Sequence, residues 1–97
     1  MSQYPVQAVV VTVSDGQMKY AEEVYEKLIA LHVRARLDVQ NATISKKIRE
    51  AEIKRIPYIV VVGEKEVKDG TVSNRKDTKP LAEFLKEISE ATKLPVV

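Results

Sequence analysis

The sequence predicts an α/β domain of three layers, α/β/α, around a mixed five-stranded sheet, with its elements in the order β-α-β-α-β-β-β-α. Three observations carry that reading. The runs Val6 to Val13 and Pro57 to Gly63 are β-branched and nearly continuous in apolar residues, the pattern of strands buried on both faces. Stretches of helical periodicity stand between and after them. The pair Asp69-Gly70, between two short segments, has the chemistry of a two-residue hairpin turn. Strands separated by helices run parallel and a hairpin adds an antiparallel partner, so the sheet is mixed. The 97 residues make one domain, with a core over 4–90 and a tail over 91–97.

The first strand stops at Ser14-Asp15-Gly16-Gln17, where Ser14 and Gln17 have capping-box spacing. Met18, Ala21, Val24, Tyr25, Leu28 and Leu31 then form one helical stripe, with Glu22, Glu23, Glu26 and Lys27 off it. His32 falls where that helix ends, at a position that favours glycine but that histidine tolerates. Val33 to Val39 alternates charged and apolar residues and reads as a half-exposed edge strand. A second helix runs from about Thr43 to Arg55, burying Ile44, Ile48 and Ala51, and Pro57 ends it. Ile53 lies opposite that stripe without an evident reason. After the strand at Pro57 to Gly63, segments Glu64 to Lys68 and Thr71 to Lys76 read as a hairpin turning at Asp69-Gly70. Pro80 opens the last helix, which presents Leu81, Phe84, Leu85 and Ile88 on one face.

Composition excludes several chemistries. There is no cysteine and one histidine, so disulfides, thiol catalysis and Cys-type zinc sites are absent. The three glycines are isolated, so no glycine-rich loop cradles a phosphate. Asp15 follows a strand, as a phospho-acceptor would. However, a receiver domain needs that aspartate after the third strand, which here ends Val62-Gly63-Glu64. No apolar run approaches a membrane span and no signal-peptide pattern opens the chain, so a cytoplasmic location is expected. Sixteen Lys and Arg against fourteen Asp and Glu give a net charge of only +2. The charge is clustered: between Asn41 and Pro57 stand Lys46, Lys47, Arg49, Lys54 and Arg55 against Glu50 and Glu52. Such a helix is either a solvated face or a set of phosphate contacts.

The wording of the chain is more specific than its composition. Asp38-Val39-Gln40-Asn41, Lys47-Ile48-Arg49-Glu50-Ala51, Arg55-Ile56-Pro57-Tyr58, Val62-Gly63-Glu64-Lys65-Glu66-Val67 and Gly70-Thr71-Val72-Ser73-Asn74-Arg75 together resemble the C-terminal anticodon-binding domain of threonyl-tRNA synthetases, which are class II aminoacyl-tRNA synthetases. The resemblance covers Tyr4 to Arg75 and, more loosely, the last helix. It departs at His32 and Ser45, where the family often has glycine, and after Arg75, where a second arginine and a glycine-rich segment are missing.

The resemblance implies binding of the anticodon loop of tRNA(Thr), with Asn41, Glu66 and Arg75 reading bases and Lys46, Lys47, Arg49 and Arg55 holding phosphates or supporting the readers. Unpaired loop bases expose their edges. A carboxylate accepts from guanine N1 and N2 hydrogens, and a guanidinium donates to O6 and N7. Threonine anticodons share a central G, which suits a Glu66/Arg75 pair. From spacing alone, Glu66 and Arg75 also read as facing charges in adjacent strands, and Asn41 as a turn or cap residue. Tyr4, Tyr20 and Tyr58 are the aromatic rings available for base stacking, while Tyr25 and Phe84 read as core. The resemblance implies no catalytic centre, metal or cofactor in this domain. ATP and zinc would belong to a catalytic domain, joined in cis or in trans. Neither a membrane nor DNA is expected as a partner. The alternative is a stand-alone synthetase-like paralogue serving as a non-catalytic interaction or regulatory subunit.

Overall fold

A computed structural model describes residues 6–39, 42–74 and 77–91. The strands are β1 (Ala8–Thr12), β2 (Ala35–Leu37), β3 (Tyr58–Val62), β4 (Thr71–Asn74) and β5 (Asp77–Pro80). The helices are α1 (Met18–Ala30), α2 (Ile44–Ile53), α3 (Glu64–Asp69) and α4 (Leu81–Ala91). One sheet contains all five strands in the order β2-β1-β3-β4-β5. β1 pairs in parallel with β2 and with β3, and β4 and β5 continue antiparallel.

The alternation of side chains across β1 and β3 divides the interior into two cores. Ala8, Val10, Val60 and Val62 pack with Ala21, Val24 and Leu28 of α1 and Phe84 and Ile88 of α4. Val9, Val11 and Ile59 pack on the other face with Ala51 of α2 and Ile56, flanked by Ile44, Ile48 and Val61. The sheet is therefore sandwiched, as expected, with α1 and α4 on one side and α2 on the other. β2 is an edge strand, as its alternating pattern predicted.

Helices α1 and α2 end in the same way. His32 and Arg55 adopt left-handed backbone, with φ of 63° and 58°. The Val33 amide bonds to the Leu28 carbonyl and the His32 amide to that of Ile29. The Ile56 and Arg55 amides repeat the pattern on Ala51 and Glu52. These are Schellman motifs, which satisfy carbonyls left open at a helix end. Val33 and Ile56, both buried, supply the apolar contact that closes each motif.

The expected hairpin is displaced by one element. Glu64 to Lys68 is not a strand but the body of α3, and Asp69-Gly70 is not a hairpin turn but a helix stop, with Gly70 left-handed at φ 69°. The physical reason is local. Glu66 sits three residues past the cap, and its Oε1 accepts a hydrogen bond from the Gly63 amide at 2.7 Å. Glu and Lys also favour helix over strand. The hairpin is β4–β5, and Pro80 closes β5 instead of opening the last helix. Proline is tolerated there because β5 is an edge strand. The number of strands and the mixed sheet survive the shift. Ile53, opposite the buried stripe of α2, is 70% exposed and faces solvent.

Candidate nucleic-acid interface

The parallel strands β1 and β3 end side by side, with Thr12 opposite Val62. Ligands of open α/β sheets commonly bind beyond the carboxyl ends of such strands. Side chains of α2 and α3 converge on this edge. From α2 comes Lys47, whose Nζ donates to the Thr12 carbonyl at 3.1 Å and to Thr12 Oγ1 at 3.4 Å. Lys47 is buried, and a buried ammonium is tolerable only with such acceptors. Its place follows from helical spacing, because Ile44, Lys47, Ile48 and Ala51 lie on one face. Thr43 caps the helix, its Oγ1 accepting from the Lys46 amide at 3.2 Å.

Lys46 and Arg49, three residues apart, lie on the opposite, exposed face of α2 with Ile53. Arg55 is exposed on the turn that follows. The basic helix is thus divided: Lys47 ties α2 to the sheet, and Lys46, Arg49 and Arg55 reach solvent.

Glu66 is half-buried at the start of α3. Beyond its bond from the Gly63 amide, its Oε2 accepts from Ser73 Oγ at 3.2 Å. Ser73 Oγ is in turn 3.0 Å from Thr78 Oγ1. Gly63 is needed for this approach: a Cβ there would stand 2.9 Å from Glu66 Oε1 and 3.2 Å from Val13 Cγ2. Because Glu66 is helical, the reading of Glu66 and Arg75 as facing charges in adjacent strands does not hold. Asn41 and Arg75 lie outside the described residues, as does Tyr4.

The tyrosines expected to stack on bases are partly engaged in the larger core. Tyr20 donates its hydroxyl to the Thr71 carbonyl at 2.9 Å, and its ring packs on that core. Its hydroxyl ionises above the usual 10.0, first because of burial and then because Glu23 and Glu66 disfavour a phenolate. Tyr58 meets Phe84 edge-on, with ring centres 6.3 Å apart. The Ser73–Thr78 pair escaped sequence reading because the segment holding Thr78 was not recognised as a strand. Lys47 did carry a signal, its position on the apolar stripe.

Residues 7–91 match the family described as the anticodon binding domain, and the chain belongs to that family. Within it, the domain is homologous to part of the threonine–tRNA ligases. It is 43% identical over 90 residues to the enzyme of Carboxydothermus hydrogenoformans, covering 87% of this chain and 14% of that protein. It is 46% identical over 87 residues to that of Thermus thermophilus, covering 84% of this chain and 13% of that protein. The RNA binding domain of threonyl-tRNA synthetase from Cryptosporidium parvum Iowa II superposes with a TM-score of 0.82 at 27% identity, covering 95% of this chain and 26% of that one. Histidyl-tRNA synthetase from Nostoc sp. PCC 7120 shares the fold, with a TM-score of 0.80 at 20% identity over 91% of this chain and 23% of that one. The chain spans only about one seventh of the length of the ligases it matches. Among the described residues, no helix is long and apolar enough to cross a membrane.

Proposed function

We propose that this domain binds the anticodon loop of tRNA(Thr) in the cytoplasm and serves a threonine–tRNA ligase whose catalytic domain, with its ATP and zinc, is supplied in cis or in trans. The observation that carries this reading is Glu66, held with both carboxylate oxygens engaged inside a domain of the anticodon-binding family. Each oxygen keeps further lone-pair capacity, and a fixed carboxylate suits the N1–H and N2–H hydrogens of the central G. Asn41 and Arg75 complete the base-reading set. Lys46, Arg49 and Arg55 hold phosphates, while Lys47 supports them by fixing α2.

The test is a titration of the chain with the anticodon stem-loop of tRNA(Thr) and with the same loop carrying another central base. Wild type prefers the natural loop. Glu66→Ala and Arg75→Ala each weaken binding and reduce that preference by roughly 1–3 kcal/mol, the range for one good base contact. Indifference of wild type to the central base, or unchanged affinity in both variants, overturns the proposal.

A further inference from the structure

Base reading by Glu66 leaves two hydroxyls beside it without a role. Glu66, Ser73 and Thr78 come from α3, β4 and β5, and Ser73 and Thr78 are direct partners across the β4–β5 ladder. Ser73 Oγ lies between Glu66 Oε2 and Thr78 Oγ1, at 3.2 Å and 3.0 Å. Hydrogen counting fixes the polarity of this chain. A carboxylate only accepts, and a hydroxyl has one hydrogen to give. The Ser73 hydrogen goes to Glu66, so the hydrogen between the two hydroxyls comes from Thr78. The Gly63 amide also points its hydrogen at the carboxylate. Every hydrogen of the cluster is therefore directed inward, and what remains on half-buried Glu66 and exposed Thr78 is acceptor capacity.

We infer that Ser73 and Thr78 are positioning residues that hold Glu66 in place and make this cluster an acceptor-only surface for a base edge. The inference rests on the anticodon reading and adds the origin of its selectivity. An edge with adjacent donors, as on guanine, pairs with such a surface. An edge presenting an acceptor, such as adenine N1, meets another acceptor and loses its hydrogen bond to water without replacement. A freely rotating hydroxyl would blunt that choice by turning to donate. The relay prevents it.

The test uses the whole chain, with fluorescence-anisotropy titrations against the tRNA(Thr) anticodon stem-loop bearing G or A at the central position. Ser73→Ala removes one support of Glu66 and releases the Thr78 hydrogen. The G-over-A preference is expected to fall about tenfold, the equivalent of one or two neutral hydrogen bonds. Ser73→Thr keeps the hydroxyl and the preference. Ser73→Ala combined with Thr78→Val removes the freed donor and recovers part of the discrimination against A, which a merely structural role would not produce. Thermal melts of each variant separate misfolding from altered recognition. If Ser73→Ala keeps the wild-type preference, or weakens G and A loops by the same factor, the positioning role is overturned while the anticodon reading stands. If wild type does not distinguish G from A and Glu66→Ala changes nothing, the anticodon reading fails and the positioning role falls with it.

Discussion

Lys47→Met separates support from phosphate contact within the basic helix. Lys47 is 5% exposed and Thr12 1%, and the amine reaches both oxygens of Thr12. Methionine preserves the unbranched stem, so packing changes little. What disappears is a charge-assisted hydrogen bond of about 1.5–3 kcal/mol, leaving a buried carbonyl short of a donor. Relief from burying an ammonium offsets part of that loss, so the net cost is about 1–2 kcal/mol. For a domain of this size each kcal/mol moves Tm by about 4–8 °C, which predicts a fall of roughly 5–15 °C. Thermal and urea melts followed by circular dichroism read this directly. In parallel, RNA affinity is measured across salt concentration. Lys46→Ala and Arg49→Ala are each expected to flatten the salt slope by about 0.7, the value per single-strand phosphate contact. Lys47→Met leaves the slope unchanged. A variant that keeps its Tm but flattens the slope would refute the placement of this amine on Thr12.

Three further outcomes follow from the geometry. Gly63→Ala pushes a methyl against Glu66 Oε1 and Val13; it should cost about 1 kcal/mol by loosening the capping bond and weaken binding of the natural loop, as melts and titrations would record. His32→Gly relieves left-handed strain at an exposed helix end and should stabilise the fold by roughly 1 kcal/mol, raising the urea midpoint without changing RNA affinity. Tyr20 has a folded-state ionisation above the unfolded value of 10.0, so its contribution is complete below pH 10 and is lost as pH rises through the folded value. Tyr20→Phe should lower stability at pH 7 by about 1 kcal/mol through the lost bond to Thr71 and show a shallower alkaline decline, read from melts between pH 8 and 11.

The elements legible in the sequence were those whose pattern and environment agreed. β1 and β3 are nearly continuous in apolar residues because both faces are covered, and α1 and α2 show their stripes because each covers one face. His32 was readable as a left-handed terminus, whereas Arg55 was not, since arginine carries no signal for that conformation. The Glu64–Asp69 segment misled because Asp-Gly serves a hairpin and a helix stop equally well. The deciding partner, the Gly63 amide, is a backbone group invisible in side-chain patterns. Pro80 misled for a similar reason, being compatible with a helix start and with an edge strand. At the candidate site, family wording pointed to Glu66, but only three-dimensional placement showed what holds it. It also divided the five basic residues of one stretch into a tether and a set of exposed charges.

The two cores are unequal, and that has a consequence for motion. Among the described residues, α1 and α4 share the larger cluster of buried side chains, while α2 contributes one fully buried apolar residue, Ala51, to the smaller one. Regions with little buried apolar contact open at lower free energy than the global unfolding transition. The layer bearing the basic charges is therefore the one least firmly attached, and Lys47 is its polar anchor. Amide hydrogens of α2 will exchange sooner than those of α1. On the proposed reading, an RNA held by the exposed face of α2 would quench that opening, and the ordering of one helix would then enter the binding affinity.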